Sequence, residues 1–146
     1  MTKGASILVV DDNPANLGVL YQFLTRAGYR VLASQDGESA LEMAEREQPD
    51  LILMDVMLPG EDGFAVCRRL QENRKTDQIP VIFVTALTQV EDKLTGFEAG
   101  GVDYITKPFQ REEVLARIGA HLTIKKQAEE LRSEERRVGK ECATGC

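Results

Sequence analysis

The sequence is poor in cysteine, histidine and tryptophan: it has three cysteines, one histidine and no tryptophan. Cys142 and Cys146 lie at the end of the chain, and Cys67 falls on an apolar helical stripe. An odd cysteine count in this arrangement does not indicate a disulfide framework, so we expect reduced thiols. We interpret His121, the only histidine, as a helix-surface residue or a partner contact.

Long apolar runs are also missing. The first run, ILVV from Ile7, is too short for a signal peptide, and Asp11 and Asp12 follow it at once. No run approaches the roughly 20 apolar residues that cross a bilayer. We therefore predict a cytoplasmic protein with no membrane partner.

The sequence has fewer basic than acidic residues: 18 Lys and Arg residues and 24 Asp and Glu residues give a net charge of -6. A phosphate backbone attracts a basic surface, so we expect no direct contact with nucleic acid. The same balance suits a site that gathers carboxylates around a cation. A length of 146 residues and a hydrophobic content of 42% suit one globular domain with a single core.

Five short apolar segments alternate with helical patterns. The segments are ILVV from Ile7, YRVLAS from Tyr29, LILM from Leu51, VIFVT from Val81 and DYIT from Asp103. The first four are apolar at consecutive positions, which is typical of parallel strands covered on both faces. Helices are predicted from Asn13-Pro14 to Gly28, from Gly37 to before Pro49, from Gly63 to Asn73, around Val90 to Ala99, and beyond Pro108. This alternation predicts a doubly wound α/β fold, a five-stranded parallel sheet with helices on both faces.

Chemically active side chains end four of the five predicted strands. They are Asp11 and Asp12, Asp55, Thr85, and Thr106 with Lys107. Parallel strands bring their carboxyl ends to one edge of the sheet, where ligands bind. Clustered carboxylates stay ionised only beside a cation, and oxygen ligands without His or Cys favour Mg²⁺ or Mn²⁺. With Lys107 and Thr85 near a phosphoryl group, the pattern predicts phosphoryl transfer with Asp55 as the nucleophile.

Four segments together resemble the receiver domain of two-component response regulators. They are VVDDN at 9–13, LILMDVMLPGEDG at 51–63, VIFVTA at 81–86 and YITKPF at 104–109. The resemblance implies a flavodoxin-like sheet with strand order 2-1-3-4-5. It also implies a phosphoacceptor that receives a phosphoryl group from a histidine kinase or a phosphotransfer protein. Such a domain catalyses only its own phosphorylation and dephosphorylation, and its output is a change in partner binding.

The resemblance assigns the metal site position by position. Asp55 corresponds to the phosphorylated aspartate, which also binds Mg²⁺. Asp12 corresponds to a direct metal ligand, and Asp11 to the acidic neighbour that holds the metal through a water. The backbone carbonyl of Met57 corresponds to the remaining protein ligand.

The resemblance also assigns a switch. Thr85 corresponds to the hydroxyl that moves toward the phosphoryl group, and Tyr104 to the aromatic residue that turns inward with it. Lys107 corresponds to the lysine that pairs with the phosphoryl oxygen, and a cis peptide is expected between Lys107 and Pro108.

The helical pattern continues past the last segment of the resemblance. We therefore predict a receiver domain at 1–122 and a helical extension or linker at 123–146, with a non-native tail and no output domain. His121, Ile124, Ala128 and Leu131 fall near a seven-residue spacing, which indicates a coiled coil. A homodimer is expected to use this helix or the face of the fourth helix, fifth strand and fifth helix. The segment RSEERRVGKEC resembles a translated sequencing adapter; the alternative is a charged helix that frays at Gly139.

Two other functions remain open. One is an interaction module that dimerises and ignores phosphate. The other is an aspartate-nucleophile phosphatase, although Met57 occupies the place where such an enzyme carries its second acidic residue. A nucleotide-binding fold is disfavoured, because no glycine-rich loop follows the first strand.

Overall fold

A computed structural model of the protein describes residues 4–86 and 98–145, with side chains up to residue 131. Over these ranges the elements are β1 (Ser6–Val10), α1 (Pro14–Arg26), β2 (Arg30–Ser34), α2 (Gly37–Glu47), β3 (Leu51–Asp55), α3 (Gly63–Glu72), β4 (Val81–Thr85), β5 (Asp103–Thr106) and α4 (Arg111–Gly145). We call α4 the C-terminal helix. The helix predicted around Val90 to Ala99 lies almost wholly outside the described residues.

The five strands form one parallel sheet in the order β2-β1-β3-β4-β5. The predicted fold and strand order are therefore confirmed. Asp55 lies opposite Val84 on the neighbouring strand, and Thr85 lies opposite Thr106. Since all strands run the same way, the residues that end them meet at one edge of the sheet.

Alternation of side chains along the strands divides the core into two layers. The layer under α2 and α3 includes Leu8, Val10, Ile52, Met54, Phe83, Ala40, Ala44, Phe64, Cys67 and Leu70. The layer under α1 and the C-terminal helix includes Ile7, Val9, Leu53, Ile82, Val84, Leu20, Leu24, Val114, Ile118 and Leu122. Strands β1, β3 and β4 are buried at every position, as their consecutive apolar residues predict. Cys67 lies fully inside the core, and burial raises the pKa of its thiol to about 12.

Strand β2 differs from the expectation that both of its faces are covered. Arg30 and Ala33 are exposed, and Val31 and Leu32 are half-buried. The reason is its place in the sheet: β2 is an edge strand with β1 as its one neighbour. The residues of a strand do not reveal which strands will flank it.

A polar side chain caps the N-terminus of each of the first three helices. Asn13 accepts from the backbone N–H of Ala15 at 2.8 Å and is followed by Pro14 in the first turn, as predicted. Asp36 and Asp62 cap α2 and α3 in the same way. The N-termini of these helices therefore lie near the edge of the sheet that carries Asp11 and Asp55.

The C-terminal helix is joined to the opposite end of the sheet by ion pairs. Asp103, the first residue of β5, accepts from Arg117 Nη1 at 2.7 Å and lies 2.9 Å from His121 Nε2. Lys125 Nζ lies 3.8 Å from Asp50 Oδ1. His121 was interpreted as a helix-surface or partner residue; its ring is mostly buried and pairs with Asp103 within the domain, and the partner contact stays a prediction.

The same helix continues well past the sheet. It runs through residue 122, the predicted domain boundary, and through Gly139 to Gly145. Ile124 and Leu131 are exposed. The division of the chain at residue 122 stays a prediction. Among the described residues, no helix has the length and apolar character needed to cross a bilayer, and the cytoplasmic location stays a prediction.

Candidate metal and phosphoacceptor site

Three carboxylates meet at the carboxyl edge of the sheet. Oxygen atoms of Asp11, Asp12 and Asp55 all lie within 4.8 Å of one another. Adjacent strands bring them together, since Asp11 follows β1 and Asp55 ends β3. Asp11 and Asp55 are 2% and 3% exposed, whereas Asp12 is exposed to solvent. The cluster expected from the strand ends is therefore present, with one member accessible from outside.

Lys107 brings a positive charge to this cluster. Its Nζ lies 3.2 Å from Asp55 Oδ2 and 3.5 Å from Asp11 Oδ2. The backbone N–H of Lys107 donates to the carbonyl of Thr85 at 2.8 Å, which continues the β4–β5 pairing by one residue. The peptide between Lys107 and Pro108 is cis, as predicted. One ammonium group is thus shared between two buried carboxylates.

The pKa of Asp55 reflects the burial and the charges around its carboxyl group. Burial raises the pKa of its carboxyl, and the negative charge of Asp11 raises it further. The backbone N–H of Met57, 3.1 Å from Asp55 Oδ1, and the ammonium of Lys107 lower the pKa but do not reverse the shift. Lys107 alone therefore leaves negative charge uncompensated in the cluster.

The donor set fits a hard divalent cation. All three candidate ligands are carboxylates, which suit Mg²⁺ or Mn²⁺ better than Zn²⁺. Within the described ranges, His121 is paired with Asp103 and Cys67 is enclosed in the core, so neither competes as a ligand. The cluster is thus suitable for binding a metal ion.

Of the remaining predicted site residues, Thr85 ends β4 at the same edge, whereas Tyr104 lies two residues before the end of β5. Thr85 is 1% exposed and lies one residue past Val84, the partner of Asp55 in the sheet. Tyr104 is 7% exposed, and its ring centroid lies 5.7 Å from that of Phe83. The side chain of Met57 is 70% exposed, so it contributes little to packing. The roles of these residues stay predictions.

The loop after Asp55 folds back tightly onto the strand. Gly63 N–H donates to the carbonyl of Val56 at 2.7 Å. A Cβ atom at residue 63 would lie in hard contact with the carbonyl oxygen of Asp55 and 3.0 Å from its carbonyl carbon. Gly63 therefore permits an approach to the backbone of Asp55 that no other residue allows. From the sequence, Gly63 was predicted only to begin a helix.

Asn16 is a second site residue that the sequence analysis missed. It lies in the first turn of α1 and donates from Nδ2 to Asp11 Oδ2 at 3.2 Å. The other oxygen of Asp11 accepts from the backbone N–H of Asn13 at 2.9 Å. The available signal was its position three residues after the cap Asn13, which places its side chain beside the end of β1.

Comparison with known proteins supports this site. Residues 7–119 match the family model described as the response regulator receiver domain. The DNA-binding dual master transcriptional regulator RpaA of Synechocystis is 48% identical over 116 residues, 80% of this chain and 48% of that protein. The response regulator PleD of Caulobacter vibrioides is 45% identical over 138 residues, 92% of this chain and 30% of that protein.

A solved structure matches as well. The receiver domain of the sensor histidine kinase PA1611 of Pseudomonas aeruginosa, with magnesium in its active-site cleft, has a TM-score of 0.77 and 37% identity. The match covers 82% of this chain and 98% of that one. That structure therefore carries a metal ion in a fold that closely matches this chain.

The partner prediction is wrong. It excluded nucleic acid, yet RpaA is described as DNA-binding. The alkaline phosphatase synthesis protein PhoP of Bacillus subtilis and AfsQ1 of Streptomyces coelicolor are described as transcriptional regulatory proteins. The error lies in reading the net charge of -6 as a property of a whole protein. A basic DNA-binding surface can belong to a separate output domain and leave the receiver segment acidic.

The matches differ in how much of the related protein the chain covers. The chain spans between 30% and 48% of the length of its first curated relatives, whereas the receiver structure from Pseudomonas aeruginosa is matched almost completely. The matched segment carries the carboxylate cluster and Lys107. The chain therefore belongs to the family of response regulator receiver domains, the signalling domains of two-component systems.

Proposed function

We propose that this chain is a phosphoacceptor switch, in which Asp55 takes a phosphoryl group from a phosphohistidine in the presence of Mg²⁺. Phosphorylation then changes what the domain binds. The observation that carries the proposal is the position of Lys107, whose Nζ lies between Asp55 at 3.2 Å and Asp11 at 3.5 Å. A cluster that holds both anionic ligands and a cation suits a phosphoryl group, which needs its charge neutralised while it is transferred.

In the transfer step an oxygen of Asp55 forms a bond to phosphorus while the phosphorus–nitrogen bond of the phosphohistidine breaks. The imidazole leaves as the neutral ring after it takes a proton from solvent. Lys107 neutralises charge on a phosphoryl oxygen, and the Thr85 hydroxyl donates to another. A bound Mg²⁺ supplies further charge neutralisation and orients the phosphoryl oxygens.

The metal ligands we assign are the carboxylates of Asp12 and Asp55 and the backbone carbonyl of Met57, with Asp11 acting through a water. The exposure of Asp12 supports this assignment, because Mg²⁺ keeps several of its waters and needs access to solvent. Burial of Asp11 supports its indirect role, since its two oxygens already accept from Asn13 and Asn16.

The switch we assign runs through Thr85, Lys107, Pro108 and Tyr104. An aspartyl phosphate adds charge and acceptor oxygens at Asp55, which draws Lys107 away from Asp11 and draws Thr85 toward the new group. Because Thr85 lies opposite Thr106 in the sheet, its movement affects β5 and therefore Tyr104. We assign this switch to residues 1–122, with residues 123–146 as an extension.

Labelling with acetyl phosphate tests the nucleophile and the metal. The full chain is expected to gain the mass of one phosphoryl group in MgCl₂, and no mass when EDTA replaces the metal. Asp55→Asn is expected to abolish labelling. Asp62→Asn is the matched control, because Asp62 caps α3 and asparagine can replace it there. Labelling of Asp55→Asn at another residue contradicts the assignment.

Beryllofluoride tests the switch without turnover. With Mg²⁺ it is expected to shift the NMR signals of Thr85, Tyr104 and Lys107 in the wild-type chain and to leave Asp55→Asn unchanged. If the wild-type spectrum does not change, the chain is an interaction module that ignores phosphate.

A further inference from the structure

The carboxylate of Asp11 is contacted by two donors at the start of α1 and by the ammonium group of Lys107. Its Oδ1 accepts from the backbone N–H of Asn13 at 2.9 Å. Its Oδ2 accepts from Asn16 Nδ2 at 3.2 Å and lies 3.5 Å from Lys107 Nζ. Asp11 is 2% exposed, so these contacts determine its orientation more strongly than solvent does.

The two donors to Asp11 Oδ2 differ in the other contacts that hold them in place. Lys107 also bonds Asp55, so a change of charge at Asp55 can move it. Asn16 is neutral and is fixed to the first turn of α1, where Asn13 and Pro14 define the start of the helix. A carboxylate can only accept hydrogen bonds, so the amide must present its NH₂ group to Asp11. We therefore expect Asn16 to stay bonded to Asp11 when Lys107 moves toward Asp55.

We propose that Asn16 is a positioning residue for the metal site: its amide holds the Asp11 carboxylate toward Asp12 and Asp55 and thereby strengthens Mg²⁺ binding. The inference rests on the proposed function, because it needs a metal ion in this cluster. Groups that orient a metal ligand without touching the metal commonly affect affinity strongly, since they fix the direction of the ligand's lone pairs.

The effect is expected on metal binding and not on folding. Asn16→Leu removes the amide at similar size, and leucine forms helices more readily than asparagine. The metal-free thermal midpoint is therefore expected to stay close to that of the wild type, because the gain in helix propensity offsets part of the lost hydrogen bond. Asn16→Ala provides a second variant with the same expectation.

The experiment is an NMR titration of the full chain with MgCl₂. In Asn16→Leu the dissociation constant for Mg²⁺ is expected to rise about tenfold. Acetyl phosphate labelling supplies a second measurement: the Mg²⁺ concentration at half-maximal rate is expected to rise, whereas the rate at saturating Mg²⁺ stays at the wild-type value. A purely structural role of Asn16 does not produce this separation.

Asn73→Leu is the matched control. Asn73 Nδ2 also donates to a carboxylate, Glu45 Oε2, at 3.1 Å, but Asn73 follows the C-terminal end of α3 and neither residue belongs to the carboxylate cluster. Its Mg²⁺ affinity is expected to equal that of the wild type. Equal Mg²⁺ affinity in Asn16→Leu and wild type overturns the inference, as does an equal loss in Asn73→Leu. If the wild-type chain binds no Mg²⁺, the proposed function itself fails.

Discussion

Lys107 Nζ lies 3.2 Å from Asp55 Oδ2, although 52 positions separate the two residues in the sequence. Asp55 ends β3, and Lys107 follows β5, two strands away across β4. The contact exists because both strands run in the same direction and end at the same edge. In this ion pair the Asp55 side chain is buried and the Lys107 side chain is 24% exposed. The strength of the pair therefore depends on the charges around it.

The first prediction concerns the charge of Lys107. Lys107→Met keeps most of the side-chain length but removes the ammonium group from Asp11 and Asp55. We expect acetyl phosphate labelling at saturating Mg²⁺ to fall about a hundredfold, because a preorganised donor to the transferring group is lost. We expect Mg²⁺ to bind at least as tightly as in the wild type, since a competing cation is absent. Mass-based labelling rates and a Mg²⁺ titration measure the two effects.

Lys125→Met is the control for Lys107→Met. Lys125 pairs with Glu129 and Asp50 at the other end of the sheet. Its loss is expected to leave both labelling and Mg²⁺ affinity unchanged. Wild-type labelling by Lys107→Met refutes a role for this lysine in phosphoryl transfer.

The acidic site was predictable because its residues end strands. Consecutive apolar residues indicate buried parallel strands, and a parallel sheet sends every strand end to one edge, so Asp11, Asp55 and Lys107 had to converge. Their distances were not predictable. They depend on which strands are neighbours and on how far each side chain reaches across the sheet.

Contacts made from helices were harder to foresee. Asn16 reaches Asp11 because of the angle at which α1 leaves the sheet, and Asp103 meets His121 because of where the C-terminal helix packs. Neither angle is encoded in a local pattern. The exposure of Arg30 on β2 was missed for a related reason, because a strand's own residues do not state that it lies at an edge.

The second prediction concerns pH and Asp55. Burial, and next the charge of Asp11, raise the pKa of Asp55 above its ordinary value of 3.8, so the folded state binds this proton more tightly than the unfolded chain. The resulting contribution to stability is lost as pH rises through the folded-state pKa. Asp55→Asn is therefore expected to melt a few degrees above the wild type near neutral pH in EDTA. This difference in melting temperature is expected to shrink as the pH falls toward 3.8. Calorimetry across this range measures it, and a less stable Asp55→Asn near neutral pH refutes it.

The third prediction concerns Asp103, whose pKa shifts in the opposite direction. Burial raises it, but hydrogen bonds from His121, the backbone of Tyr104 and Arg117 outweigh burial and hold the pKa below 3.8. The ionised Asp103 carboxylate therefore stabilises the fold above pH 3.8. This contribution to the free energy of unfolding is lost as the pH falls through the lowered pKa. Because the pair is partly exposed, Asp103→Asn is expected to lower the free energy of unfolding by about 1 kcal/mol at neutral pH.

Urea denaturation at neutral and at acidic pH tests the Asp103 prediction. The difference between Asp103→Asn and wild type should narrow once the pH drops below 3.8, where the wild-type carboxyl also loses its charge. Asp77→Asn is the control at the same end of the sheet, because Asp77 forms no ion pair among the described side chains. A constant difference at every pH contradicts an ionic origin.

The last prediction separates two glycines by what a methyl group would meet. At Gly63 a Cβ would press on the carbonyl oxygen of Asp55, whereas at Gly18, inside α1, it meets nothing within 4 Å. Gly63→Ala is expected to lower the free energy of unfolding by about 2 kcal/mol, because backbone cannot move aside as a flexible side chain can. Gly18→Ala is expected to raise it by about 0.5–1 kcal/mol through helix propensity. Because the displaced group in Gly63→Ala is the backbone of Asp55, its labelling rate should also fall at temperatures where both variants are fully folded. Equal stability and equal labelling of the two variants would show that the approach of Gly63 to Asp55 does not position the nucleophile.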